Sequence, residues 1–428
     1  LSATTEPAKD TADHITTGFE LVDPDYYAEN GPPHEIWTQL RAEAPVHKCK
    51  VENVEPFWAI TRQEDIRSIS RQPDKFSSEK GITLIPTDQP LSETEGIGAM
   101  KVVITMDPPV HREVRKVASP WFTPRALKQI DDAIVYSARA LVDDLAGSTG
   151  KGETDMAMGI AVSHPLRILA TALGLAEEQE PKILELSNRL FAPADSELGG
   201  GGGQDDIVEL GNQFVELFLP IIQDRRANPT DDLASLIANG QVNGEAMGPM
   251  ETLGYYLIVF NAGHDTTKNA LAGGFQALIQ NPAQFDKVKK DLKRVPDAVE
   301  EILRWTSSVN YMKRTATCDV EVNGTQIKRG ESLVLFYGSA NRDESVFEDP
   351  FTFDIDRSPN RHVAFGYGEH FCMGAHFARR SMAAIVEELA RRVGRWELIG
   401  DPEWIASSFV VGLKHLPVAY QISTNGGR

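Results

Sequence analysis

The stretch FGYGEHFCMG, Phe365 to Gly374, sets a cysteine among three glycines. Cys372 is one of three cysteines in 428 residues, and the others, Cys49 and Cys318, lie far from it along the chain. An odd, scattered set is no disulfide framework and suits a reducing compartment. With no C-x-x-C it cannot build a Cys-only zinc or iron–sulfur centre. One thiolate is enough where a metal already holds four equatorial nitrogens, as in haem. For that the sulfur must leave its loop and face a flat surface, and Gly366, Gly368 and Gly374 permit close approach and unusual dihedrals. A helix starting just after Cys372 would turn its unpaired N–H groups and dipole toward the sulfur and stabilise a thiolate. The competing reading is an inert cysteine beside a glycine-rich turn.

Three other groupings could do chemistry. NAGHDTT, Asn261 to Thr267, is a polar centre in a long apolar stretch, either functional or a solvated patch. Glu301 and Arg304 stand three apart and share a helical face; alone, such a pair reads as a surface ion pair. DPPVHREVR places His111 and Arg115 at i and i+4 on one face.

The elements that must position these residues read as mainly helical with small, mostly antiparallel β pieces. DDAIVYSARALVDDLAG and SMAAIVEELARRV carry apolar residues at three- and four-residue steps. From about Met250 to Gln280 nothing forces a stop before Asn281-Pro282, which predicts a helix of roughly 45 Å that crosses the whole protein. PFWAIT predicts a strand, followed by a helix from about Gln63. CDVEVNGTQIKRGESLVLF predicts a hairpin turning at Asn323-Gly324 plus a third strand, and SFVVGLKHLPVAYQI predicts another hairpin. The run Gly199 to Gly203 predicts a mobile connector between two helices. Residues 1–20 are expected to form a flexible arm, and 21–428 one domain.

Composition narrows the classes. With 62 acidic against 43 basic side chains the formal charge is −19, which argues against nucleic acid and anionic lipid as partners. About 41% of residues are hydrophobic, ample for a core, yet no apolar run reaches the length of a membrane span. The polar opening residues lack the layout of a signal peptide. The expected location is cytoplasmic.

FGYGEHFCMGAHFA fits F-x-x-G-x-x-x-C-x-G-x-x-x-A in full, at Phe365, Gly368, Cys372, Gly374 and Ala378. On that motif the chain resembles the haem-thiolate monooxygenases, the cytochrome P450 family. The likeness spans roughly residues 55 to 420 and looks like the soluble bacterial class. SANRDESVFEDPFTFDIDRSPNRHVAFG is especially similar to the members that hydroxylate α-terpineol. The resemblance implies the family's fold, with haem b between the long central helix and the cysteine-loop helix, and Cys372 as the iron ligand. It implies that Glu301 and Arg304 join Arg357 in a buried set. Stranding one charge of such a set costs about 3–5 kcal/mol. It matches His111, Arg115, Arg314 and His370 to haem propionate contacts, with Phe365 and Gly374 also beside the cofactor; His362 could bond backbone or a propionate. It makes AGHDTT the oxygen-activating segment. Ala262 and Gly263 would leave room above the iron, Thr266 would act through its hydroxyl, and Asp265 would relay protons from solvent. His264 would point away in a structural role.

The same resemblance places Leu84, Ile85, Ile97, Met100, Val103, Ile258, Asn261, Ala262, Val309, Phe409 and Val410 around the substrate. That lining is largely apolar, so the substrate should be too. Asn261 is the exception; its carboxamide either bonds a polar group of the substrate or is satisfied within the helix. The implied activity is hydroxylation of a small apolar compound, a monoterpenoid or an aromatic hydrocarbon, by dioxygen. Two electrons would come from a [2Fe–2S] ferredoxin served by a flavin-dependent reductase. Arg112, Lys116, Arg361 and Arg379 are candidate docking charges. The alternatives are a peroxide-driven peroxygenase, which would not need Asp265 and Thr266, and a non-catalytic haem-based sensor.

Overall fold

The computed structural model describes residues 14–87, 100–199 and 204–424. Helices dominate, and the longest is the expected central one, Pro249–Gln280. Pro at its first turn suits a helix start, where the missing N–H has no intrahelical partner. Asn281 caps its end, and Pro282 opens the next helix. Most of its residues are buried around the full circumference, because other helices cover it. Val162–Ala172, Val295–Thr306 and Ala375–Arg392 all pack on it. Where Val295–Thr306 crosses, Gly273 and Gly274 let the backbones close up; a Cβ there would stand 2.8 Å from Thr306 and 2.6 Å from Ile302.

The β structure is small and its largest sheet is mixed. That sheet runs Val46–Cys49, Phe57–Ile60, Ser332–Phe336, Tyr311–Ala316 and Phe76–Ser77 in spatial order. Phe57–Ile60 lies parallel to Ser332–Phe336; its other pairings are antiparallel. The Asn323-Gly324 turn is present, with φ 47° and 76°, and joins Val320–Val322 to Thr325–Ile327. The third strand of that sequence leaves the hairpin and joins the large sheet.

The second expected hairpin does not form. Leu413–His415 pairs with Glu403–Trp404, whereas Pro417–Ile422 pairs with Val393–Leu398 and Lys151–Asp155. Only Leu416 separates the two strands, too few residues to reverse a chain. The expected flexible arm also needs correction at its inner end. Residues 1–13 lie outside the described residues, but Thr16 is buried, its carbonyl bonds His47 Nε2 at 3.0 Å, and Phe19–Val22 is helical. Burial of Leu21 and Val22 anchors that end. The polyglycine run follows the helix Glu180–Phe191 and precedes Gln204–Ala227; residues 200–203 lie outside the described residues. Among these, no helix is long and apolar enough to cross a membrane.

Glu301, Arg304 and Arg357 meet in the core. Arg304 forks onto both oxygens of Glu301 at 2.7 and 2.8 Å and donates to the carbonyls of Asn341, Pro350 and Thr352. Arg357 Nε reaches Glu301 at 3.4 Å, and Asn360 and the Asp354 N–H also donate to that carboxylate. A buried charge set is tolerable when its lone pairs and protons are satisfied in this way.

Candidate active site

A cavity of about 1360 Å³, counting its open mouth, lies between the central helix and the cysteine loop. On the loop side stand Phe365, Gly366, Cys372, Met373 and Gly374. Gly366 and Gly368 adopt φ of 68° and 72°, where a side chain is strained. A Cβ on Gly368 would also meet Ser70 O at 2.1 Å. The Cys372 N–H donates to Phe365 O at 2.9 Å, which closes the loop. Gly374 then caps the helix Ala375–Arg392. It has ordinary backbone (φ −82°), so its contribution is space and an N–H near the sulfur. Burial pushes the Cys372 thiol up, against smaller opposing effects of that N–H, Arg115 and Arg379.

The central helix supplies the facing wall through Ile258, Ala262, Gly263 and Thr266. Steps of four keep 258, 262 and 266 on one face. The resemblance would put Asp265 on that same face with Thr266, but it is turned off it, because one residue rotates the helix by a quarter-turn or more. It is buried, its Oδ1 lies 2.5 Å from Lys268 Nζ, and Asn269 Nδ2 donates to its Oδ2 at 3.2 Å. Asn261 shares this second face. It is 1% exposed and does not line the cavity; its Nδ2 donates to Leu257 O at 2.8 Å within the helix, while its buried Oδ1 has no partner among the described residues. His264 also lies off the cavity, fully buried against Phe260, and burial pushes it down to about 4. Thr266 Oγ donates to Ala262 O at 2.7 Å.

At one edge of the cavity basic groups converge. His111 and His370 have ring centres 4.2 Å apart. Arg115 donates to Phe371 O at 2.5 Å, and Arg314, 4% exposed, donates to the carbonyl of its neighbour Lys313. Burial pushes Arg314 down, and burial together with Arg314, His111 and Arg115 drives His370 to about 2. The buried Nδ1 of His111 has no partner among the described residues, and neither Arg115 nor Arg314 forms an ion pair there. Basic groups that depress one another leave a place for an anion. His362 is elsewhere; its Nε2 contacts Glu300 at 3.1 Å, and Arg379 forks onto the same carboxylate, holding it down at about 2.

Of the expected substrate residues, Val103, Ile258, Ala262 and Val309 line the cavity. Leu84 and Phe409 instead pack in the small core beside the large sheet, and Met100 is in the main core. Val410 is buried and touches the cavity wall only through its bridge to Val309. Ile85 is half-buried off the cavity, and Ile97 lies outside the described residues. Ser308 and Met312 line the cavity with Val309, as the family resemblance implies for the stretch SSVNYM, whereas Leu169, Phe122 and Tyr337 line it without having been expected there. For Met312 a second signal existed: it stands two residues before Arg314 in a strand, on the same face.

A family model described as Cytochrome P450 matches residues 201–397. Cytochrome P450-terp of a Pseudomonas species is 34% identical, over 93% of this chain and 95% of its own. The chain belongs to the cytochrome P450 family. Linalool 8-monooxygenase of Pseudomonas putida is also 34% identical, over 93% of this P450 and 98% of the relative. The crystal structure of CYP108D1 from Novosphingobium aromaticivorans superposes with a TM-score of 0.87 at 34% identity, covering 95% of this chain and 98% of that one. This P450 is therefore a monooxygenase acting on a small apolar substrate. Its residues fit the haem that the family implies. A half-buried thiol that needs a positive centre to ionise faces the cavity, and an orphaned imidazole nitrogen and a desolvated Arg314 without an ion pair among the described residues stand where two carboxylates would compensate them.

Proposed function

We propose that this P450 binds haem b through Cys372. His111, Arg115, Arg314 and His370 hold the propionates, and Phe365 and Gly374 flank the ring on the thiolate side. When bound, haem supplies dioxygen activation and oxygen-atom transfer into a C–H bond; the other oxygen atom leaves as water. The chain's own work is placement and proton supply. The apolar wall of Val103, Leu169, Ile258 and Val309 excludes water and takes up hydrocarbon. Thr266 presents a hydroxyl oxygen to the cavity and passes protons from Asp265, which must first rotate out of its pair with Lys268. The substrate class is a monoterpenoid or related hydrocarbon, in line with the linalool-hydroxylating relative. Electrons come from an acidic [2Fe–2S] ferredoxin reduced by a flavoprotein.

One observation carries this reading: a single cysteine faces small residues of the central helix across a largely apolar cavity. Reduction under carbon monoxide tests it. The expected result is a thiolate-type carbonyl spectrum, lost in Cys372→Ser along with most haem binding. An imidazole-type spectrum in the unaltered protein would falsify the assignment.

A further inference from the structure

The expected polar contact to substrate, Asn261, donates to Leu257 O inside the central helix, and its buried Oδ1 lies off the cavity wall. Another side chain is available. Ser308 lines the cavity and is half-buried, and its hydroxyl has no hydrogen-bond partner among the described residues. Thr266, by contrast, has its proton committed to Ala262 O and can only accept from a ligand. Two further hydroxyls belong to the wall: Thr267 is 2% exposed, and Tyr337, 4% exposed, has its hydroxyl beside Gly366 on the cysteine-loop side rather than among the apolar residues of the central helix.

The backbone around Ser308 is fixed from both sides. Ser308 O accepts from the Val411 N–H at 2.8 Å, the Asn310 N–H donates to Phe409 O at 2.9 Å, and Val309 bridges Val410. Just before it, Ser307 ends the helix Val295–Thr306 at φ 44°, a left-handed conformation that favours glycine. Buried hydrogen bonds hold it there: Ser307 Oγ donates to Arg304 O at 2.9 Å and accepts from Asn341 Nδ2 at 2.8 Å. Strain maintained by its surroundings is a signature of a functional position. Its effect here is to turn the chain so that Ser308 and Val309 face the cavity. A hydroxyl displayed from a rigid backbone against apolar neighbours orients a ligand at little entropic cost.

We propose that Ser308 is the polar anchor of the substrate site, and that the substrate is a small, mainly hydrocarbon molecule bearing one hydrogen-bonding oxygen. This rests on the monooxygenase reading of the cavity and specifies it. The test uses ferric, haem-loaded protein, titrated with α-terpineol and with p-menth-1-ene, the same skeleton without its hydroxyl, and read by the Soret shift. Ser308→Ala is expected to weaken the alcohol by about five- to tenfold, the worth of one neutral hydrogen bond, and to leave the hydrocarbon nearly unchanged. Ser308→Thr should keep the alcohol's affinity. Equal losses for both compounds, no loss for the alcohol, or a loss that follows Thr267→Val or Tyr337→Phe instead each overturn the anchor. Failure of both compounds to shift the unaltered protein overturns the substrate class, while an intact thiolate carbonyl spectrum leaves the monooxygenase reading standing.

Discussion

Thr266 does two things with one hydroxyl. It donates to Ala262 O at 2.7 Å, which fixes the proton in the helix and leaves the oxygen's remaining lone pair toward the cavity. In the proposed mechanism, an oxygen so held would accept a hydrogen bond from a neighbouring acid and order the protons that dioxygen cleavage consumes. Thr266→Ala should leave haem and substrate binding intact, because only a methyl and a hydroxyl are lost. Product formed per NADH should fall, by up to about 10²-fold if proton delivery is the whole role, with hydrogen peroxide rising to match. Parallel assays of NADH, peroxide and product decide it; unchanged coupling refutes the role. At this scale the site was legible wherever one residue type is irreplaceable. The cysteine and its glycines were legible from their spacing, whereas the basic edge of the cavity came only with the family resemblance, because a lone His or Arg does not name its partner. Leu169 and Phe122 were not legible, because nothing in a lone apolar residue separates a cavity wall from a core.

At the scale of elements, the sequence was informative where a local rule is strict. Asn323-Gly324 fixes its hairpin because both residues accept positive φ. The C-terminal strands misled because alternation marks a strand without naming its partner. Their true pairing places His415 at a junction. Its Nδ1 lies 2.5 Å from Asp155, at the end of the strand Lys151–Asp155, and its Nε2 lies 3.0 Å from Glu197, in the loop after Glu180–Phe191. Glu403 is its cross-strand neighbour, and Lys414 meets Asp195 and Glu197 at 3.6 Å. The two carboxylates raise His415 above its ordinary value. Raised in the fold, the imidazolium stabilises fully below its unfolded value near 6.5, and that contribution is lost as pH climbs through the folded value. His415→Gln should therefore lower stability by about 0.5–1 kcal/mol near pH 6 and by little near pH 9. Thermal unfolding at both pH values checks this; a pH-independent loss would assign His415 to packing alone.

For the whole molecule, the proposed acidic ferredoxin raises the question of how a chain of charge −19 would receive it. Of the four docking charges expected, Arg112 is paired with Glu369, Lys116 with Glu113 and Arg379 with Glu300; Arg361 is exposed. Paired charges present little net field. Another pair also stands on the cysteine loop. Arg67 and Arg71 lie 4.6 and 4.8 Å from the ring of Tyr367, which belongs to that loop, and both donate to its hydroxyl. Neither has a carboxylate partner among the described residues. The helix Gln63–Ser70 that carries Arg67 ends against Gly368, so the two guanidinium groups are fixed relative to the thiolate loop. A local positive spot within a negative surface focuses an acidic partner by steering, which acts on the rate of encounter. Arg67→Glu combined with Arg71→Glu should slow reduction of the ferric protein by limiting ferredoxin about tenfold or more at low salt. The gap should narrow as ionic strength shortens the screening length. The carbonyl spectrum should not change, since neither residue lines the cavity. Stopped-flow reduction across a salt series separates the possibilities: a rate that ignores both charge reversal and salt would place the ferredoxin on another face.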